Sequence, residues 1–297
     1  MTTRSASSGT VPDRVVTSVA DRRSTIVDVI RGANTSLALS LFRCNDPAIF
    51  AAIADAAKRS VTVDVLMTSR GKGTAATKLA KLRARLEAAG ATVHAYADPV
   101  VKYHAKYLVA DDGPAVVASF NFTSKCFEKT FDAVVVTYDP DVVAGLKALM
   151  AADCEGKPLP ADVSPRLIIG PERARKQFTA LVDGAKKSIR LIDKKLSDPD
   201  LVTLLNAKRD AGLVVDIFGS KRIGSLKSHG KLMLIDDRVA VVGGLAIAAI
   251  SLDFRREVAI VVEDPSTVAE VVDVFRTIDA VPTHGAQRAP DETGLSL

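Results

Sequence analysis

Polar and apolar positions along this chain follow two rhythms. Short runs rich in Val, Ile and Leu, such as "SLALSL" from Ser36 and "TVDVLM" from Thr62, read as strands. Stretches such as "PAIFAAIADAAK" from Pro47 space their apolar residues three and four apart, as an amphipathic helix does. Asp46-Pro47 and Asp198-Pro199 each offer a capping carboxylate followed by proline at the first helical position, where its missing N–H costs nothing. Near-continuous apolar strands such as "KLMLI" and "VAVVGG" predict sheets covered on both faces. Strands alternating with helices predict an α/β fold.

The pattern occurs twice. Gly32–Met67 aligns with Gly184–Gly219 without a gap. The Gly-Ala pair recurs, as do Ser36 and Ser188, the two Asp-Pro helix starts, and Asp64 and Asp216. Any two αβ units look somewhat alike, but matched turn chemistry over an ungapped stretch favours duplication. After Leu66 the first copy inserts "GTAATKLAKLRARLEAAGATVHAYAD", read as a helix and a strand, where the second has only the short basic loop "GSKRIGSLK". "CEGKPLPADVSPR" reads as the linker. The expected architecture is therefore two αβα-sandwich lobes, 1–157 and 166–297, with the segment after Ala280 read as a disordered tail.

Composition narrows the setting. Of 297 residues, 47% are hydrophobic, enough for a substantial core, and no apolar run is long enough for a spanning helix. The N-terminus lacks the apolar stretch of a secretory signal. Cys44, Cys126 and Cys154 lie far apart without a CxxC, which reads as reduced thiols in a cytoplasmic protein, not a disulfide frame or zinc site. A net charge of +5 suits anionic partners without singling out nucleic acid, and 5% aromatics with no Trp offer little for stacking bases or anchoring in a bilayer.

Four histidines are present, and two of them open the same pattern, His-x-Lys-x-x-x-x-Asp: His104, Lys106 and Asp111, then His229, Lys231 and Asp236. The register continues downstream. Ser119 matches Gly244, Asn121 matches Ala246, and Asp132 matches Glu257. Residues two apart on a strand share a face, so each His-Lys pair points into one pocket. An imidazole can attack phosphorus while an ammonium neutralises a non-bridging oxygen. Asp132 and Glu257 are the candidates to accept the other ring N–H and fix the tautomer. Ser119, Asn121 and Gly244 are the candidate phosphate contacts. Asp111 and Asp236 stand at odd offset from their histidines and read as structural ion-pair or turn residues. Cleavage through a covalent intermediate needs a neutral nucleophile and a separate acid, and two histidines facing each other across a pseudo-two-fold axis meet that need.

With this paired motif the chain resembles the phospholipase D superfamily from about Val15 to Ile278. The resemblance implies two lobes related by a pseudo-two-fold axis with the site between them, a phosphohistidine intermediate, and no metal or cofactor. It also implies His104 as nucleophile and His229 as general acid, then base. Two departures stand out: Ala118 where the family commonly has Gly, and Ala246 where it has Asn. The superfamily includes phospholipases, phosphatidyl transferases and nucleases, so the partner is a phosphodiester, phospholipid or nucleic acid. The leading expectation is hydrolysis or transfer of a phospholipid headgroup; the alternatives are a metal-independent nuclease and a low-activity phosphate-binding relative. Since one chain holds both motifs, no protein partner is required and a monomer is expected. Peripheral contact with a membrane remains open.

Other features read as ordinary structure. His94 lines a strand, and His284 lies in the tail. "SRGKGTAATK" lacks Walker spacing. Arg70, Lys72, Lys221, Arg222 and Lys227 rim the site or are solvated loop charge, and Lys102 adds positive potential or faces solvent. Phe120, Phe122, Phe127 and Phe131 are mostly core, with one or two available to shape a pocket.

Overall fold

The computed structural model describes residues 11–70, 73–219 and 222–280. The first half runs β1 (Arg14–Val16), α1 (Arg22–Gly32), β2 (Ser36–Leu41), α2 (Pro47–Lys58), β3 (Thr62–Thr68), α3 (Thr74–Ala88), β4 (Thr92–Tyr96), β5 (Lys102–Tyr103), β6 (Tyr107–Ala110), β7 (Ala115–Ala118), α4 (Ser124–Lys129), β8 (Thr130–Phe131), β9 (Val134–Thr137) and α5 (Pro140–Glu155). The second runs β10 (Leu167–Ile169), α6 (Ala174–Gly184), β11 (Ser188–Ile192), α7 (Pro199–Asp210), β12 (Val214–Ile217), β13 (Arg222–Ile223), β14 (Leu226–Ser228), β15 (Lys231–Ile235), β16 (Val239–Gly243), α8 (Ala249–Phe254), β17 (Arg255–Arg256), β18 (Val258–Val262) and α9 (Pro265–Ala280).

The two main sheets share one plan. The first is ordered β1-β9-β7-β6-β2-β3-β4 and the second β10-β18-β16-β15-β11-β12, so each strand of the second has a counterpart in the first. Only β4 is extra, and with α3 it forms the insertion expected after Leu66. Matching helices have equal lengths: 11 residues for α1 and α6, 12 for α2 and α7, 6 for α4 and α8, and 16 for α5 and α9. The Asp-Pro starts cap as expected, Asp46 accepting from the Ala48 N–H at 3.1 Å and Asp198 from that of Leu201 at 3.1 Å. The basic loop of the second half differs from expectation. Gly224, at φ +55°, turns it into a hairpin in which β13 pairs antiparallel with β14.

Strand periodicity sorts the side chains into layers. Leu108, Val116, Val134 and Val136 pack outward with α1 and α2, while Tyr107, Val109, Val117 and Val135 face inward. In the second sheet Met233, Ile235 and Val241 pack outward with α6 and α7, while Leu232, Leu234, Val242 and Ile260 face inward. Both inward faces, with α5 and α9, form one continuous core that joins the halves. Each sheet is thus covered on both sides, which explains its uniformly apolar strands.

Two short ladders cross between the halves. β5 pairs parallel with β17, setting Lys102 beside Arg255 and Tyr103 beside Arg256. β8 pairs parallel with β14, setting Thr130 beside Lys227 and Phe131 beside Ser228. These ladders place each histidine segment against the opposite half.

Candidate active site

The histidine motifs lie at the start of β6 and β15. The antiparallel neighbours β2 and β7 end there and β9 begins there, so Phe42, Ser119 and Asp132 come to the same edge of the first sheet. Gly244, Glu257 and Lys194 occupy the matching edge of the second.

Each histidine is held by a carboxylate from the other half. His104 Nδ1 bonds Glu257 Oε1, and the His104 backbone N–H donates to the Arg256 carbonyl at 2.9 Å. His229 Nδ1 lies 2.9 Å and 3.2 Å from the two Asp132 oxygens, while the Gly230 N–H donates to the Phe131 carbonyl at 2.7 Å. Both carboxylates are buried, Asp132 at 0% and Glu257 at 1% exposure, whereas the rings of His104 and His229 keep 18% and 30%. Each ring is therefore anchored through Nδ1 with Nε2 left to meet a substrate. Gly230 allows the close approach: a Cβ there would lie 2.9 Å from Asp132 Cα and 3.0 Å from the Phe131 carbonyl oxygen.

The carboxylates have their own supports. Ser119 donates to Asp132 at 2.9 Å and accepts the Ala133 N–H at 3.0 Å, and Thr130 donates to the other Asp132 oxygen at 2.5 Å. Ser119 is thus committed to the carboxylate that orients His229, not turned toward a phosphate as its position in the sequence had implied. In the other half Ser251, on α8, donates to Glu257 and accepts the Ala246 N–H at 3.1 Å. Neither Thr130 nor Ser251 was singled out in the sequence, although Ser251 stands at the position of Cys126 in the repeat. Arg22, fully buried, ties the Asp132 segment down by donating to the carbonyls of Phe127, Thr130 and Asp132.

Lys106 and Lys231 each donate to the carbonyl of their own histidine, Lys231 at 2.9 Å. Burial, then Lys231, Arg255 and Lys195, push the Lys106 ammonium well below its ordinary range against the pull of Glu257. Burial and the Lys106 charge push His104 down to about 3, outweighing Glu257. Burial opposes the charge of Glu257, but His104, Lys106 and Ser251 prevail and hold its carboxyl below the usual range. Gly244 lies beside His104 and Lys106: a Cβ there would be 4.0 Å from the His104 carbonyl oxygen and from Lys106 Nζ. Asn121 Oδ1 is buried without a hydrogen-bond partner among the described residues, while its counterpart Ala246 has no polar group to offer.

Phe42 and Lys194 also went unremarked in the sequence. The Phe42 ring packs edge-on against His104 with centroids 4.4 Å apart. Both residues follow the end of a strand where no periodicity marks them.

Asp111 and Asp236 lie at the opposite end of their sheets. Asp111 accepts the backbone N–H groups of Asn34, Thr35 and Ser36 at 2.8–2.9 Å, and Asp236 those of Lys186, Lys187 and Ser188 at 2.7–2.9 Å. With φ of +48° and +53° both occupy left-handed turns, so strand parity does not govern where they point.

His94 and Arg70 sit apart from the histidine pair. His94 Nε2 bonds Asp64 at 2.7 Å on the insertion's edge strand, and Arg70 pairs with Asp98 at 4.0 Å. Phe120, Phe122 and Phe127 pack on one another in the outer core of the first half, and Phe131 joins the shared core. Lys102 places its ammonium 5.8 Å from the Phe42 centroid. Lys72, Lys221 and His284 lie outside the described residues. Cys126, Asp132 and His229 each bring a ligand atom within 4.8 Å of the others, the one such group among the described residues, but the Asp132 oxygens already serve Ser119, Thr130 and His229. No helix among the described residues is long and apolar enough to cross a membrane.

Comparison with known proteins agrees with this architecture. Residues 26–154 match the family described as cardiolipin synthase, phospholipase D-like domain. No curated protein sequence matches. Among solved structures, the polyphosphate kinase of Porphyromonas gingivalis superposes with a TM-score of 0.74 at 19% identity, over 89% of this chain and 46% of that one. This chain therefore spans a little under half of that kinase. The phosphatidylserine synthase of Haemophilus influenzae Rd KW20 superposes with a TM-score of 0.72 at 12% identity, over 91% of this chain and 87% of that one. At such identities the superpositions speak for the fold, and the family match gives residues 26–154 as a phospholipase D-like domain.

Proposed function

We propose that the chain is a phosphodiesterase or phosphatidyltransferase of the phospholipase D type that works through a phosphohistidine. The crossed anchoring carries this reading: two imidazoles, each fixed through Nδ1 by the other half's buried carboxylate, each with its own lysine. His104, kept neutral by burial and Lys106, is the nucleophile. Its Nε2 forms a bond to phosphorus as the bond to the departing oxygen breaks, and that oxygen takes a proton from His229. His229 then removes a proton from water or an acceptor alcohol, whose oxygen displaces His104 from phosphorus. Lys106, Lys231 and the Asn121 side chain serve the non-bridging oxygens.

The proposed substrate is a phospholipid headgroup ester. The phosphatidylserine synthase whose fold this chain shares along most of its length bears a name in keeping with that choice. Headgroup release from a panel of glycerophospholipids in chelator, beside His104→Ala and His229→Ala, tests it. Release by the wild type with at least a ~10³-fold loss in both variants is expected. No release from any lipid removes the phospholipid assignment. A second reading, cleavage of nucleic acid, draws on the lysines near the site; metal-independent cutting of single-stranded DNA that weakens steeply with salt is its signature.

A further inference from the structure

The two strand crossings are built alike but carry different surfaces. α8 leads straight into β17 as α4 leads into β8, and the two helices match position for position. Cys126 and Phe127 are buried in α4, as Ser251 and Leu252 are in α8. The outward positions differ. In α4 they hold the exposed Lys125 and Lys129, ordinary solvated charge. In α8 they hold Ile250 and Phe254, which are 57% and 51% exposed. Four residues apart, these two share one face of the helix. The partner strand shows the same contrast. Two residues before Lys102 of β5 stands Val100, 66% exposed, whereas two before Lys227 of β14 stands the polar Ser225. Because β5 and β17 run parallel, the residues that enter them, Val100 and Phe254, come to the same end of the ladder. One crossing therefore presents three apolar side chains to water where the other presents two lysines and a serine.

This apolar end is held in place and rimmed by positive charge. Asp98 accepts the backbone N–H groups of Val100 and Val101, both at 2.7 Å, which fixes the turn that carries Val100. Lys102 and Arg255 stand opposite each other on the first rung of the ladder. Arg43 and Lys102 share the Phe42 ring, 5.1 and 5.8 Å from its centroid. None of these three cations forms an ion pair with a carboxylate among the described residues. The neighbouring acids are engaged: Asp98 by its two N–H groups, and Asp253 of α8 by Arg175 at 2.6 and 2.9 Å. Grouped apolar side chains beside uncompensated cations suit the boundary of an anionic lipid layer, where the first enter the acyl region and the second meet the headgroups. The patch also adjoins the chemistry, since the His104 N–H donates to the carbonyl of Arg256, two residues after Phe254.

We propose that Val100, Ile250 and Phe254, rimmed by Arg43, Lys102 and Arg255, dock the chain on the surface of an anionic phospholipid bilayer, with the His104 side of the site against the lipid. The purpose of this contact rests on the phospholipid reading above, but the contact itself is separate from the reaction. With no Trp in the chain and few apolar side chains in the patch, attachment needs both the apolar tips and the charges, and it weakens as salt rises.

Cosedimentation with vesicles tests the surface, in the His104→Ala chain so that no lipid is consumed. Vesicles of phosphatidylcholine alone are compared with an equal mixture of phosphatidylcholine and phosphatidylglycerol. Binding to the mixed vesicles is expected to be at least ~10-fold the stronger. Ile250→Gln with Phe254→Gln is expected to lower it at least ~10-fold, while Val214→Gln with Ile217→Gln, exposed on the far edge strand β12, leaves it within about twofold. Phe254→Trp places a single indole in a chain that has none, so its emission should shift to the blue when mixed vesicles are added. That readout also serves if the double variant at Ile250 and Phe254 does not fold. Equal binding to both kinds of vesicle, no binding to either, an unchanged partition in the folded double variant, or an unshifted emission overturns the proposal. So does a dimer in solution that the same double variant dissolves, since a second copy would then be what covers the patch. Vesicle binding by a chain whose wild type releases no headgroup keeps the surface and loses the activity; headgroup release from detergent-dispersed lipid without vesicle binding does the reverse.

Discussion

At His104, burial and Lys106 together outweigh an adjacent carboxylate, and the consequence is measurable in pH. A nucleophile must be unprotonated, so activity falls only as acid reaches the depressed pKa. With bis(p-nitrophenyl) phosphate, the acid limb of kcat/KM assigned to this ring is expected far below the ordinary imidazole value of about 6.5. Lys106→Met removes a charge that lowers the His104 pKa, so it should shift that limb toward neutrality while slowing the reaction. A limb at the ordinary imidazole position in the wild type counts against the assignment. Asp111 and Asp236 act on stability instead. Burial opposes their charges, but the N–H groups they accept win and hold both carboxyls below the usual range of about 3.9. A depressed folded-state pKa means that their contribution is complete above about pH 4 and is lost as the pH falls through the native value. Asp111→Ala should cost ~1–3 kcal/mol in urea unfolding at pH 7, and much less of that difference should survive at pH 2. Both histidines, both lysines and both carboxylates were legible because the repeat spells them twice. Ser251, Thr130, Phe42 and Lys194 were not, since each reaches the site by tertiary packing and has no motif spacing of its own.

Among the elements, those with a period were readable and those without were not. The inserted helix and strand after Leu66 were expected and are α3 and β4. Two-residue strands such as β5, β8 and β17 hold no alternation to detect, yet they set which carboxylate serves which histidine. Asp132 stands much nearer His104 in sequence than the 97 residues that separate it from His229, and it bonds His229. Gly230 is the tightest point of the β8–β14 crossing. Gly230→Ala would press a methyl into the backbone at Phe131 and Asp132, so it should cost ~1–3 kcal/mol and lower activity more than the same change at Gly244, whose neighbours are 3.7 Å or farther. Comparable activity in the two variants, with both folded, would contradict the tightness of that crossing. Arg256 secures the other ladder from within the core, bonding Asp153 at 3.0 Å and Glu172 at 2.5 and 2.8 Å. Arg256→Met leaves the buried Asp153 without its cation and should destabilise the chain by ~3–5 kcal/mol, readable as an earlier urea midpoint.

For the whole molecule, the shared core and the crossed pairs make the two halves one structural unit. Fragments divided between 156 and 166 should each be inactive alone, because His104 would lack Glu257 and His229 would lack Asp132; cleavage of bis(p-nitrophenyl) phosphate should appear only when they are combined. Turnover by either fragment alone would contradict the crossed arrangement. Duplication and the two-lobed plan were visible in the sequence through Asp-Pro starts, matched spacings and paired motifs. The continuous central core was not, since an apolar strand does not disclose which partner its second face will meet. The exchange of carboxylates also bears on how such a chain can change over time. Two copies of a gene segment ordinarily provide a spare, leaving one free to drift while the other keeps working. Here a lesion in either copy's carboxylate falls on its twin's histidine as well, so the His-Lys pairs and a carboxylate are kept in both copies while Phe42 and Lys194, like Asn121 and Ala246, have parted company.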